Sequence, residues 1–189
     1  AISPTGADHV HNIHDTAYTT DVGMEGVHAF GILEPLPKDD LSPAKVRLMR
    51  YHTNFSILKN VLGMCLFLPY NPNDTVDIVK AVTGWDTSLL ELMKVAERSL
   101  ALARAFNARE GFTAKDDYLP DRFFKKFTSG PLKGVAHNRK DFKAALKTYY
   151  EMAGWNPKTG APTEATCHDL DIAWAAEAMN APMAEAAGG

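Results

Sequence analysis

Apolar residues recur at helical spacing over most of the chain, and no segment shows the apolar-polar alternation of a half-buried strand. A first long helix is predicted in the segment from Ala44 to Leu66, and it should end near Gly63 or shortly after. Ser42 and Pro43 mark its start as a cap followed by proline at the first helical position. A second long helix is predicted from Thr87 to Asn107. Its apolar face is broad, as in a helix that packs on two neighbours. The stripe consists of Leu89, Met93, Ala96, Leu100 and Ala103, and it is widened by Leu92, Val95, Leu102 and Phe106. The sequence therefore predicts an all-α fold with these two helices at its core.

The remaining predicted elements are shorter. One helix is expected from Asn73 to Val82, and another follows Asn138 as its cap. Between them, glycine, proline and charged residues predict a loop region from Arg109 to Gly134, with one helical turn at Arg122 to Lys126. The alanine-rich end after Ala173 fits either a frayed helix or disorder.

Composition narrows the class of protein. The chain has 189 residues, of which 46% are hydrophobic and 23% charged, as in a globular protein that buries a sizeable core. A formal net charge of -3, with Lys and Arg scattered among acids, provides no basic surface for nucleic acid. No apolar run reaches the roughly 20 residues of a membrane span, and the N-terminus shows no targeting pattern. We expect a soluble, cytoplasmic protein with no nucleic-acid or membrane partner.

Two residue types are candidates for chemistry. The two cysteines, Cys65 and Cys167, have no C-x-x-C spacing, so the chain holds no complete metal site built on sulfur. Four of the seven histidines fall within the first 28 residues, at His9, His11, His14 and His28. Because neutral imidazole binds transition metals and also moves protons near neutral pH, this segment fits a metal site, an acid-base site or a hydrogen-bonding loop.

Three features resemble one known family. Residues 60–66 read Asn-Val-Leu-Gly-Met-Cys-Leu and closely resemble the Asp-x-x-Gly-Leu-Cys-x motif of the aldehyde:ferredoxin oxidoreductases. Residues 3–9 are similar to the glycine-rich, histidine-containing segment upstream of that motif, and residues 83–86, 106–120 and 154–163 resemble the family's C-terminal region in order and spacing. Each short motif is weak alone, but the collinear run from Ser3 to Thr163 is specific. It corresponds to only the C-terminal part of a full family member.

The resemblance implies an irregular multi-helix domain that is a fragment of a larger multidomain enzyme. In that family a tungsten or molybdenum bis-pterin cofactor lies beside a 4Fe-4S cluster, and small aldehydes are oxidised to carboxylic acids, with electrons passing to ferredoxin or an iron-sulfur subunit. Residues 1–40 would be a His-rich segment on the cofactor side, 41–165 the helical core and 166–189 a tail. The remaining N-terminal domains of the same enzyme would be partners of this chain, which alone is expected to be inactive.

The same resemblance assigns roles to individual residues. Cys65 corresponds to one metal ligand of the cluster, and the other three cysteines belong to a run that this chain lacks. Asn60 stands where the family has a pterin-binding aspartate, and an amide offers fewer acceptor sites than a carboxylate. His9 matches the active-site histidine near the metal. The cofactor-binding residues implied are Asn60, Gly63, Met64, Cys65 and Leu66.

Other interpretations remain open from sequence. His14 and Asp15 suggest an HD-type metal phosphohydrolase, which is also all-helical but needs a further histidine upstream and an aspartate downstream. A non-catalytic helical module that binds a cofactor or partner is a third class. His9 also fits a loop histidine, and Asn60 an exposed helix residue. Cys167 is expected to be an ordinary thiol, and cavity lining or core positions are expected for three aromatic residues: Trp85, Phe112 and Trp155.

Overall fold

A computed structural model of the chain describes residues 1–6 and 18–180. Over these two ranges the structure is helical, with isolated β-bridges joining Phe127 to Lys133 and Trp155 to Pro162 and no longer strand. The all-α prediction is confirmed. The α-helices are α1 (Asp21–Met24), α2 (Pro43–Val61), α3 (Pro72–Thr83), α4 (Leu89–Arg109), α5 (Arg139–Met152), α6 (Glu164–Asp169) and α7 (Ala173–Asn180). Among these helices none is long and apolar enough to cross a membrane.

Short polar side chains cap the helices where the sequence predicts them. Ser42 precedes α2 and accepts a hydrogen bond from the Lys45 amide, and Asn138 caps α5 in the same manner. Helix α3 begins with a capping box at Asn71 and ends at Gly84, whose φ of 74° is left-handed. In the predicted loop region, 3-10 turns form at Asp121–Phe124, close to the helical turn predicted there.

Helix α2 is shorter than predicted. It ends at Val61, before the predicted end near Gly63 or shortly after, because Gly63 adopts a left-handed φ of 70° and reverses the chain. The apolar residues that follow therefore do not continue the buried stripe of the helix. Phe67 is 97% exposed, whereas Leu58, one turn before the helix end, is fully buried.

The main core lies where α2 crosses α4 and α5. Leu58 and Phe55 of α2 pack against Leu92 and Leu100 of α4, and Trp155 closes the cluster beyond α5. The buried face of α4 differs from the predicted one near its C-terminal end. Ala101, Arg104 and Ala105 are buried there, while Phe106 is 56% exposed. The two small alanines allow the close approach of α7, which an aromatic side chain on that face would prevent.

The end of the chain is structured as far as residue 180. Helices α6 and α7 form a second cluster against α4, in which Cys167, Leu170 and Ile172 are buried. A helix thus occupies the first part of the segment after Ala173, where the sequence left frayed helix and disorder open. The division into 1–40, 41–165 and 166–189 stays a prediction.

Candidate functional site

The candidate site is the turn that follows α2, residues 62–68, which we call the Cys65 turn. The Gly63 amide donates to the Asn60 carbonyl at 3.1 Å, and the Met64 amide donates to the Lys59 carbonyl at 2.8 Å. These two bonds form a Schellman motif, in which the residue after the C-cap must be left-handed. Gly63 meets that requirement at little conformational cost. Because of this motif, the backbone turns away from the direction of α2 before Met64 and Cys65.

A second turn follows within the same segment. The Leu68 amide donates to the Cys65 carbonyl at 3.2 Å, and the Lys59 ammonium donates to the Leu68 carbonyl at 3.2 Å. Lys59 is only 8% exposed and lies 4.9 Å from the centre of the Phe55 ring. Burial lowers the pKa of Lys59, and the nearby Cys65 acts in the opposite direction. The turn is therefore held to α2 from both of its ends.

The structure brings together the residues assigned to cofactor binding at one end of α2. Asn60 and Gly63 are exposed, Met64 and Leu66 are half-buried, and the Cys65 thiol is free and exposed. Apolar side chains around them are exposed as well: Val61 47%, Phe67 97%, Leu68 39% and Tyr70 38%. Such a concentration of exposed apolar groups is typical of a surface that binds a partner or a ligand. Their roles toward a cofactor stay predictions.

Several predicted residues lie outside the described part of the chain. His9, His11, His14 and Asp15 fall in residues 7–17, so neither the active-site histidine nor the phosphohydrolase doublet is placed. In residues 1–6 and 18–180 no group of three or more His, Cys, Asp or Glu could hold a metal ion. Any metal site that uses Cys65 therefore needs ligands from beyond the residues described here.

The other singled-out residues divide between core and surface. Cys167 is fully buried, and burial raises the pKa of its thiol, as expected of an inert cysteine. Trp155 is a core residue at 4% exposure. Trp85 and Phe112 are instead exposed, at 68% and 55%, so neither is a core residue of this chain, and their place in a cavity wall stays a prediction.

A buried ionic centre was not expected from the sequence. The Arg104 guanidinium forms a two-pronged pair with the Asp117 carboxylate, and its Nε donates to the Gly160 carbonyl at 2.7 Å. The Tyr150 hydroxyl also donates to Asp117. The sequence signal for this centre is an arginine between alanines on one face of α4. Its partners could not be predicted, because they lie 13 and 56 residues away along the chain. This centre ties the long loop to α4 and α5.

Lys59 was also overlooked. Its signal was a lysine among apolar residues at the end of a helix, four positions after Phe55 and thus on the same face. Only the folded chain reveals that the side chain turns back to the Cys65 turn.

Fold and site together define an all-α structure over the described residues, with the exposed Cys65 thiol on an apolar surface. The chain belongs to the aldehyde ferredoxin oxidoreductase family, because residues 1–172 match the family's sequence model, described as aldehyde ferredoxin oxidoreductase, domains 2 & 3. The resemblance seen in the sequence is confirmed.

Individual relatives agree with this membership. The tungsten-containing aldehyde ferredoxin oxidoreductase of Thermococcus kodakarensis is 33% identical over 138 residues, which are 71% of this chain and 22% of that protein. The WOR-like subunit of an aliphatic sulfonate oxidoreductase from Pyrococcus furiosus is 47% identical over 58 residues, 31% of this chain and 9% of that protein. The chain thus spans about a fifth of the length of the first relative.

One solved structure has a similar fold. The active site complex BamBC of benzoyl coenzyme A reductase, in complex with 1,5 dienoyl-CoA, superimposes with a TM-score of 0.56 over 70% of this chain and 20% of that chain. Its sequence identity is 24%, so this likeness supports the fold alone.

Proposed function

We propose that this chain is the C-terminal part of a tungsten or molybdenum bis-pterin oxidoreductase that converts small aldehydes to carboxylic acids. The observation that carries the proposal is the exposed Cys65 thiol at the end of α2, within a chain that belongs to the aldehyde ferredoxin oxidoreductase family. The remaining N-terminal domains would supply the other ligands and the rest of the cofactor site. Ferredoxin or an iron-sulfur subunit would accept the electrons.

The residues at the end of α2 fit an iron-sulfur cluster. Thiolate is the ligand that such clusters use, and Cys65 is exposed on a hydrogen-bonded turn beside exposed apolar residues. A thiol that belonged to the core of this chain would be enclosed, as Cys167 is. One ligand from this chain and three from the N-terminal domains would complete a 4Fe-4S cluster.

The pterin contacts fit less fully. Asn60 is exposed at the last turn of α2, and its carbonyl oxygen accepts the Gly63 amide, which fixes the backbone beneath the side chain. An amide there presents one acceptor oxygen to an amino-pyrimidine edge, where a carboxylate presents two. Gly63 and Met64 would allow the pterin to approach the backbone closely, because the glycine has no side chain and nothing lies within 4 Å of its added Cβ.

Each remaining group would have one task. When bound, the metal-pterin centre accepts electrons from the substrate and the cluster conducts them outward. His9 would hydrogen-bond the substrate carbonyl or exchange a proton with it near neutral pH. Cys65 would hold the cluster at the end of α2, and the exposed apolar residues beside it would exclude water once the N-terminal domains cover them. Without those domains the chain would be inactive.

An aliphatic sulfonate is a second candidate substrate. The observation that favours it is the 47% identity over 58 residues to the sulfonate oxidoreductase subunit, which exceeds the 33% identity to the aldehyde enzyme over a longer stretch. The two candidates differ in their substrate but share the role of Cys65. No observation favours the phosphohydrolase alternative.

The test is a set of cysteine variants of the complete protein, purified without oxygen. Cys65→Ala should lower the iron content and remove the electron paramagnetic resonance signal of the reduced cluster, because one ligand is lost. Cys65→Ser should retain more iron, and the matched variant Cys167→Ala should retain all of it. Parental iron content and signal in Cys65→Ala would refute the proposal and identify Cys65 as a surface thiol without a ligand role.

A further inference from the structure

Among the residues that the structure describes, no carboxylate pairs with the buried cation Lys59. It is 8% exposed, yet none of the ion pairs formed within residues 1–6 and 18–180 includes it. Its ammonium donates a hydrogen bond to the Leu68 carbonyl. It also lies over the face of the Phe55 ring. Buried charges in proteins are normally paired, because the removal of an ion from water costs on the order of several kcal/mol. Lys59 therefore carries a charge that its contacts within the described residues do not neutralise.

Two hydrogen bonds connect Lys59 to the Cys65 turn. Its carbonyl accepts the Met64 amide on one side of Cys65, and its ammonium donates to the Leu68 carbonyl on the other. The Leu68 amide in turn donates to the carbonyl of Cys65 itself. One residue of α2 therefore holds both ends of the turn that carries the thiol.

We propose that Lys59 is a positioning residue for Cys65, which orients the thiolate and supplies the positive charge that an anionic iron-sulfur cluster requires. This inference rests on the proposed function, since it takes Cys65 to be a ligand of the cluster. The neutral alternative is a lysine that only satisfies a carbonyl near a helix end. A lysine in that role needs no burial, whereas a methionine would fill the space beside Phe55 without the cost of a buried charge.

The two roles have different consequences for the cluster. Reduction adds a negative charge to a cluster that thiolates already make anionic, so a nearby ammonium stabilises the reduced form and raises the reduction potential. A lysine that only supports the turn would change the exchange of backbone amides but not the potential. The reduction potential therefore separates the two.

The experiment compares Lys59→Met, Lys59→Arg and the control Lys80→Met in the complete protein purified without oxygen. Lys80 is a surface lysine of α3 whose partner is the exposed Asp86. Three quantities are measured: iron content, the cluster potential by redox titration followed by electron paramagnetic resonance, and amide hydrogen exchange of the peptide that covers residues 62–68. Lys59→Met should lower the potential, change the resonance line shape and speed exchange in the Cys65 turn. Lys59→Arg should restore the potential toward that of the parent, and Lys80→Met should match the parent in all three.

Each result is decisive for the inference. A potential and line shape in Lys59→Met equal to those of the parent would overturn it, even with faster exchange. If Lys59→Met loses its iron, Lys59→Arg decides: iron retained with arginine supports a role for the charge, and iron lost with arginine as well overturns it. Cys65→Ala keeps the two proposals apart. An intact cluster in Cys65→Ala would overturn the proposed function itself, whatever Lys59→Met shows.

Discussion

The Arg104 centre and the Cys65 turn each contain a buried cation, but the two cations have different partners. In the Arg104 centre the charges are buried and paired, since the guanidinium and the Asp117 carboxylate are both 5% exposed and Tyr150 donates to the same carboxylate. In the Cys65 turn a buried ammonium has a carbonyl as its partner, and the thiol and Phe67 beside it are exposed. One region pairs its buried charges within this chain, and the other leaves a buried ammonium without a carboxylate partner among the described residues.

The difference separates residues that stabilise the fold from residues that serve an interface. Charges in the Arg104 centre draw the loop before α5 onto α4, so their loss should act on the stability of this chain. Leu62 of the Cys65 turn packs against the main core and Lys59 bonds to the Leu68 carbonyl, whereas Cys65 and Phe67 are exposed, so changes at the exposed positions should act on what binds the turn. Three substitutions test this contrast through the free energy of unfolding.

The largest effect is expected for Arg104→Met. It leaves the Asp117 carboxylate buried without its guanidinium, and removal of one partner of a buried pair costs about 3–5 kcal/mol. Chemical denaturation of this chain measures the change. The control is Arg109→Met, whose partner Glu110 is 39% exposed, and its cost should stay below about 0.5 kcal/mol. Equal costs for the two variants would remove the distinction between the centre and the surface.

An intermediate effect is expected for Gly63→Ala. The left-handed φ of 70° penalises any side chain by about 1 kcal/mol, while the added Cβ meets nothing within 4 Å. The loss should therefore be conformational alone and show as a lower denaturation midpoint with an unchanged slope. Gly26→Ala, which has the same open surroundings without a positive φ, should cost less. A loss of several kcal/mol would mean that the Cys65 turn is part of the core.

The smallest effect is expected for Phe67→Ser. Because this ring is 97% exposed, its removal should change the free energy of unfolding of this chain by less than about 0.5 kcal/mol. Phe55→Ala, at a position with 8% exposure, should instead cost about 3–5 kcal/mol. A large loss in Phe67→Ser would show that the ring packs on this chain after all and that the surface is not an interface.

Local patterns predicted most of the helices because their determinants are close in sequence. Ser42, Asn138 and Gly84 each act on the backbone within a few residues of themselves, so their effects can be derived without knowledge of the fold. The end of α2 was predicted near Gly63 or shortly after, and the helix ends slightly earlier, at Val61. The apolar run up to Leu68 continues the helical pattern, and a pattern does not reveal whether its last residues are buried or covered by another part of the protein.

By itself, the sequence determined an all-α chain, its principal helices and its membership of the family. Periodicity, caps and the collinear series of motifs can all be recognised from residues that are close together or in order along the chain. Tertiary structure alone decided which polar residues are buried and with whom. Arg104 meets Asp117 across 13 residues and Gly160 across 56, and Lys59 reaches Leu68 only because the chain reverses at Gly63. The cost of a buried charge depends on such partners, and they become neighbours only when the chain folds.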